Sequence, residues 1–88
     1  KFEIKEVESM SSLFITDTVA LRKMMIEKGF VKTVDLAKAS GIDRTTLGKI
    51  LKGTAQPSSD AMYKLVAALD IPPQNAGNIF FARNLHIT

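Results

Sequence analysis

Apolar residues along this chain recur mostly at helical spacing. The pattern is most informative over residues 33–53, T-V-D-L-A-K-A-S-G-I-D-R-T-T-L-G-K-I-L-K-G. Leu36 and Ala37 give a first short helix an apolar face. Gly41 falls where that helix must stop, because glycine enters the left-handed region without steric cost. Ile42 follows as an apolar plug in the turn, and Asp43 suits the N-cap of a second helix. Leu47, Ile50 and Leu51 then fall at i, i+3 and i+4, which predicts one buried stripe. Gly53 ends the second helix by the same device as Gly41.

The flanking segments extend the helical reading. Asp17 or Thr18 can cap a helix running through V-A-L-R-K-M-M-I-E-K and stopping at Gly29. Phe30 to Lys32 connect it to the pair of helices, with Thr33 predicted as the N-cap there and Asp35 in the first turn. After Gly53 comes the loop T-A-Q-P-S-S-D, with Ser58 or Ser59 capping a helix whose stripe is Met62, Leu65, Val66 and Leu69. Asp70, Ile71, Pro72 and Pro73 end that helix and start another, since proline is tolerated at a first helical position. The last helix carries Ala76, Ile79 and Phe80, with Leu85 as a candidate further along. At the other end, Phe2 and Ile4 alternate with charge as in a short strand. Leu13 to Thr16 reads as the lead-in to the first helix.

Composition narrows the class. At 88 residues with 45% hydrophobic residues, this is one small globular domain with a marginal core. The absence of cysteine excludes disulfides and thiolate metal sites and fits a cytoplasmic location. No apolar run approaches the roughly 20 residues of a membrane span. The lone imidazole, His86, has no cysteine or carboxylate cluster around it in sequence, and no glycine-rich phosphate loop is present. Enzyme activity, a cofactor and a metal are therefore not expected.

Charge changes the picture by its distribution. From Arg22 to Lys52, eight basic residues stand against three acidic ones (Glu27, Asp35 and Asp43), whereas the rest of the chain is net acidic. The positive excess lies on and around the two-helix unit, as an electrostatic footprint on nucleic acid requires.

Small Ala37 four residues before Gly41, Ile42, Leu47 five residues later and Ile50 three after that together form a helix-turn-helix signature. On these residues, and on the helices that flank them, the chain from Asp17 to about Leu85 resembles the lambda-repressor-like (XRE-type) regulators. The segment T-V-D-L-A-K-A-S-G-I is also similar to the headpiece of lac-repressor-type proteins. There the motif opens the chain; here a full helix precedes it and a G-x-x-x-P loop follows, so the phage-type resemblance prevails. It implies an all-α, five-helix DNA-binding domain over residues 13–88, with residues 1–12 as a short extended N-terminal arm or linker. Leu21 and Met24 match the buried positions of the family's first helix. Met25 and Ile26 depart from the family, which has polar residues there, so either the arm or a partner is expected to cover them.

The resemblance places the second helix of the motif in the DNA major groove, which is wide enough for one helix. Arg44, Thr45, Thr46, Gly48 and Lys49 are the candidates for base edges. Arg44 and Lys49 can donate to guanine, with Arg44 equally suited to a phosphate, and the threonines can offer a hydroxyl or a methyl group. Gly48 weakens the helix by roughly 1 kcal/mol relative to alanine. Its bare backbone lets a base pair or sugar approach closely. Arg22, Lys32, Thr33, Lys38 and Lys52 are the candidates for phosphate contacts, which position the protein without specifying sequence. Arg22 matches an arginine that the family often holds near the DNA backbone, and Thr33 stands where the family often has a glutamine on phosphate. One of the adjacent Phe80 and Phe81 is expected to enter the core. The other, Phe81, with Leu85 and Ile87 would form a dimer surface, which the family often builds from its last helix.

The implied function is a homodimeric bacterial or phage transcriptional repressor on a palindromic operator of double-stranded DNA, in the nucleoid-associated cytoplasm. Two other functions fit the same residues: an antitoxin that binds DNA and a toxin, or an interaction module that has kept the fold without DNA binding. An antirepressor protein is a further candidate partner.

Overall fold

The computed structural model describes residues 14–83. The arm or linker assigned to residues 1–12 lies outside them, as do Leu85, His86 and Ile87. Five helices are present among the described residues: α1 (Thr18–Glu27), α2 (Thr33–Ser40), α3 (Arg44–Lys52), α4 (Ser59–Leu69) and α5 (Pro73–Phe80). Four of the five starts have a local cause. An Asp17 carboxylate oxygen accepts from the Ala20 N–H (3.0 Å), Asp43 accepts from the Thr46 N–H (3.2 Å) and Ser58 accepts from the Ala61 N–H (3.1 Å). Pro73 takes the first position of α5, where its missing N–H costs nothing. The helix α2 differs from expectation. Lys32 is its N-cap, Thr33 is already helical, and no side chain caps it. Asp70, the one non-glycine residue at positive φ (52°) among those described, turns the chain out of α4.

The core gathers Leu21 and Met25 of α1, Leu36 and Ala37 of α2, the Leu47/Ile50/Leu51 stripe of α3, Leu65 and Leu69 of α4, and Ile79 and Phe80 of α5. Helix α2 packs on α3 and α4, while α1 packs on α3 and α5. Two expectations for α1 are corrected. Met25 is only 5% exposed and belongs to the core, whereas Met24 is half-buried beside it. The buried pair is Leu21 and Met25 at i, i+4, one residue round the helix from the expected Leu21 and Met24. Ile26 does stand open, 61% exposed.

The ends of the domain meet in a feature not anticipated from sequence. Phe14–Ile15 (β1) pairs antiparallel with Ala82–Arg83 (β2), Phe14 facing Arg83 and Ile15 facing Ala82. The chain therefore leaves α5 as a strand after Phe81. Two residues are too few for alternation to show in a sequence. The Asp17 N–H donates to the Ile79 carbonyl at 2.6 Å and draws the two ends together.

Candidate nucleic-acid interface

The α2–turn–α3 unit is built from short-range causes. Gly41 adopts a left-handed conformation (φ 79°) and its N–H returns to the Ala37 carbonyl at 2.9 Å, closing α2. Ile42 is buried and anchors the turn. Ser40 adds a staple that sequence reasoning missed: its hydroxyl donates to the Ala37 carbonyl (3.4 Å) and accepts from the Ile42 N–H (3.2 Å). Serine hydroxyls commonly bond nearby backbone, so a serine just before a helix-ending glycine is the signal that could have found it.

With one stripe of α3 buried, the opposite face is settled. Arg44, Thr45, Thr46, Lys49 and Lys52 are all exposed. Gly48 lies among them, and an added Cβ would meet no heavy atom within 4 Å. This glycine therefore has no packing reason in the isolated domain. The face is slim, polar and basic, the requirement for entering a major groove. Lys49 and Lys52 also stand in the last turn of α3, where a positive charge is favourable against the helix dipole.

The C-terminal end of α3 is tied to its surroundings. The Thr54 N–H and hydroxyl both bond the Lys49 carbonyl (3.0 and 3.2 Å). The Arg22 Nε donates to the Leu51 carbonyl at 3.0 Å, joining α1 to the last turn of α3. This contact was not anticipated. It occupies one of the five guanidinium donors and leaves the terminal nitrogens for an anion. Arg22 is exposed, as are Lys32 and Lys38, while Thr33 is half-buried at the first position of α2. The uncapped start of α2 presents backbone N–H groups with no intrahelical acceptor, a favourable place for a phosphate.

Elsewhere, Phe80 enters the core (1% exposed) and Phe81 does not (54%). Phe81 borders an apolar groove of about 370 Å³ between α4 and α5, together with Met62, Tyr63 and Val66. No helix among the described residues is long and apolar enough to cross a membrane.

A family model described as helix-turn-helix matches residues 21–74, from α1 to the first turn of α5. No curated protein and no solved structure matches the chain.

Proposed function

The chain belongs to the lambda-repressor-like, XRE-type helix-turn-helix family of DNA-binding transcription regulators, and from that membership we propose that it is a sequence-specific repressor binding a palindromic operator as a homodimer. The observation that carries this reading is the outer face of α3, where five exposed polar or basic residues and one bare glycine back onto a buried stripe. In this reading α3 lies in the major groove. Arg44 and Lys49 read base edges, Thr45 and Thr46 offer hydroxyls and methyls, and Gly48 lets the helix axis approach. Arg22, Lys32, Thr33, Lys38 and Lys52 hold phosphates on either side. Two copies set their recognition helices about 34–36 Å apart, with Phe81 at the contact between them. Repression follows from occlusion of the promoter, which needs no additional surface.

One observation favours a second reading, a regulator that also holds a protein such as a toxin. Ile26 and Val19, seven residues apart on the outer face of α1, are both exposed. The burial of Met25 leaves Ile26, not the Met25/Ile26 pair, for such a surface on α1, and the end of the C-terminal helix remains the alternative.

The test is selection from random duplex DNA at about 150 mM salt, where nonspecific binding is weak. Enrichment of a two-fold symmetric site, with altered base preference in Arg44→Ala and Lys49→Ala, is the expected outcome. If no sequence is enriched, the base-reading roles fall.

A further inference from the structure

Gln56 is a surface residue in the four-residue loop between Gly53 and the Ser58 cap. Both ends of its amide are nevertheless engaged. Its Nε2 donates to the Phe80 carbonyl at 2.6 Å, and its Oε1 accepts from the Thr16 hydroxyl at 3.0 Å. These partners are 24 and 40 residues away in sequence. Thr16 is the one buried polar residue among those described, 6% exposed. One side chain thus joins the loop to the end of α5 and to the entrance of α1. The same joint carries the Asp17–Ile79 hydrogen bond and the terminal strand pair.

The loop is also fastened at its other end. Thr54 bonds the Lys49 carbonyl through both its N–H and its hydroxyl. A shift of the loop therefore acts on the last turn of α3, which carries Lys49 and Lys52. Pro57, buried beside Gln56, anchors the loop by packing but offers no directional bond.

We infer that Gln56 is a positioning residue for DNA binding: by bridging Thr16 and Phe80 it holds the Gly53–Pro57 loop, and through Thr54 the last turn of α3, in register with the DNA backbone. The inference rests on the DNA-binding reading above. Gln56 itself need not touch DNA, and buried Thr16 cannot.

The experiment compares wild type, Gln56→Met, Thr16→Val, Thr16→Ser and the double variant Thr16→Val/Gln56→Met. Each is titrated against a duplex selected by the wild type, across a range of salt, and its thermal unfolding is followed without DNA. Replacing both partners of a hydrogen bond by apolar groups of similar shape can be nearly neutral for stability. The double variant removes both partners of the Thr16–Gln56 bond and leaves only the Phe80 carbonyl without its donor, so it should unfold above Gln56→Met, and it keeps the test valid even if Gln56→Met alone does not fold.

The expected result is that Gln56→Met and the double variant bind about fivefold more weakly, the equivalent of one ordinary net hydrogen bond. Their log–log salt slope should flatten by about 0.9, one phosphate contact out of register. Thr16→Val should weaken binding as well, and Thr16→Ser, which keeps the hydroxyl, should match wild type. Three results overturn the inference: Gln56→Met binding like wild type; the double variant regaining full affinity together with its stability, which is a packing role; or Thr16→Val binding fully while Gln56→Met does not, which is direct contact with DNA. If the wild type selects no duplex at all, the DNA-binding reading fails with it, and that failure is recognised before any substitution is made.

Discussion

Arg22 reaches across from α1 to donate through Nε to the Leu51 carbonyl, 3.0 Å away in the last turn of α3. A helix leaves its final carbonyls without intrahelical donors, and a guanidinium is well suited to satisfy one of them. The bond therefore supports α3 from behind while keeping a positive charge beside its end. Arg22→Met is expected to lower stability by about 1 kcal/mol or less, because the group is exposed and solvent-screened. It should also reduce the salt slope of DNA binding by about 0.9 if the arginine also holds a phosphate. Thermal unfolding and salt-dependent titration measure the two effects separately. A stability loss with an unchanged salt slope would leave Arg22 as an internal tie only.

Asp43 caps α3 by accepting from the Thr46 N–H at 3.2 Å. Asp43→Ala should cost about 1 kcal/mol of unfolding free energy, whereas Asp43→Asn, which can make the same bond, should cost little. Denaturant titration of the three proteins checks this. Equal stability of Ala and Asn variants would remove the cap from the account of how α3 starts.

Much of the fold could be read from sequence because its causes are local. Gly41 and Gly53 stop helices that Asp43 and Ser58 help to start or follow, and the stripe Leu47/Ile50/Leu51 orients α3. The exposed face of α3 followed from that stripe by elimination. What sequence reasoning missed depends on residues far apart in the chain. Whether Met24 or Met25 is buried is decided by the seating of α1 against α3 and α5, and two adjacent methionines give no way to choose. The Phe14–Ile15 and Ala82–Arg83 pair, the Arg22–Leu51 bond and the Gln56 bridge all join segments that only the folded chain brings together. Thr33 misled because threonine is a good cap in general, yet Lys32 takes that position and leaves α2 without a side-chain cap.

Gly48 separates folding from binding in one substitution. An added Cβ would meet no heavy atom within 4 Å, so Gly48→Ala should gain most of the helix-propensity difference, about 1 kcal/mol. If the bare backbone lies against DNA, the same methyl should weaken operator binding. A protein that is more stable and binds less tightly is the expected result, read by unfolding midpoint and by titration against the selected duplex. Gly48→Ala binding as tightly as wild type would show that the close approach is not used.

Leu47 is fully buried in α3, opposite the proposed reading face. Leu47→Ala should cost roughly 2–5 kcal/mol through lost burial and the cavity left behind. Small domains have only about 5–15 kcal/mol in total, so the variant should unfold at a markedly lower denaturant concentration. Calorimetry or denaturant titration tests this. A loss below about 1 kcal/mol would mean that the α2–α3 interface relaxes around the gap.

Phe80 and Phe81 divide one chain segment between the core and the surface. Phe80 ends α5 with its ring in the core, whereas Phe81, the C-cap at φ −127°, has left the helical conformation and carries its ring outward. Phe81 remains 54% exposed, beside an apolar groove shared with Met62, Tyr63 and Val66. An exposed ring contributes little to the monomer, so Phe81→Asp should leave the unfolding midpoint of dilute protein nearly unchanged. If the ring sits between two copies, the same change buries a charge at the contact and should shift the population to monomer in sedimentation at micromolar concentration. Operator binding then gives the decisive comparison. A duplex with a single half-site should be bound equally by both proteins, because α3 is untouched. A duplex with both half-sites should favour the wild type by at least about tenfold, since the advantage of a second site depends on the two copies being joined. Equal preference for the full site in both proteins would place the dimer contact elsewhere on the chain.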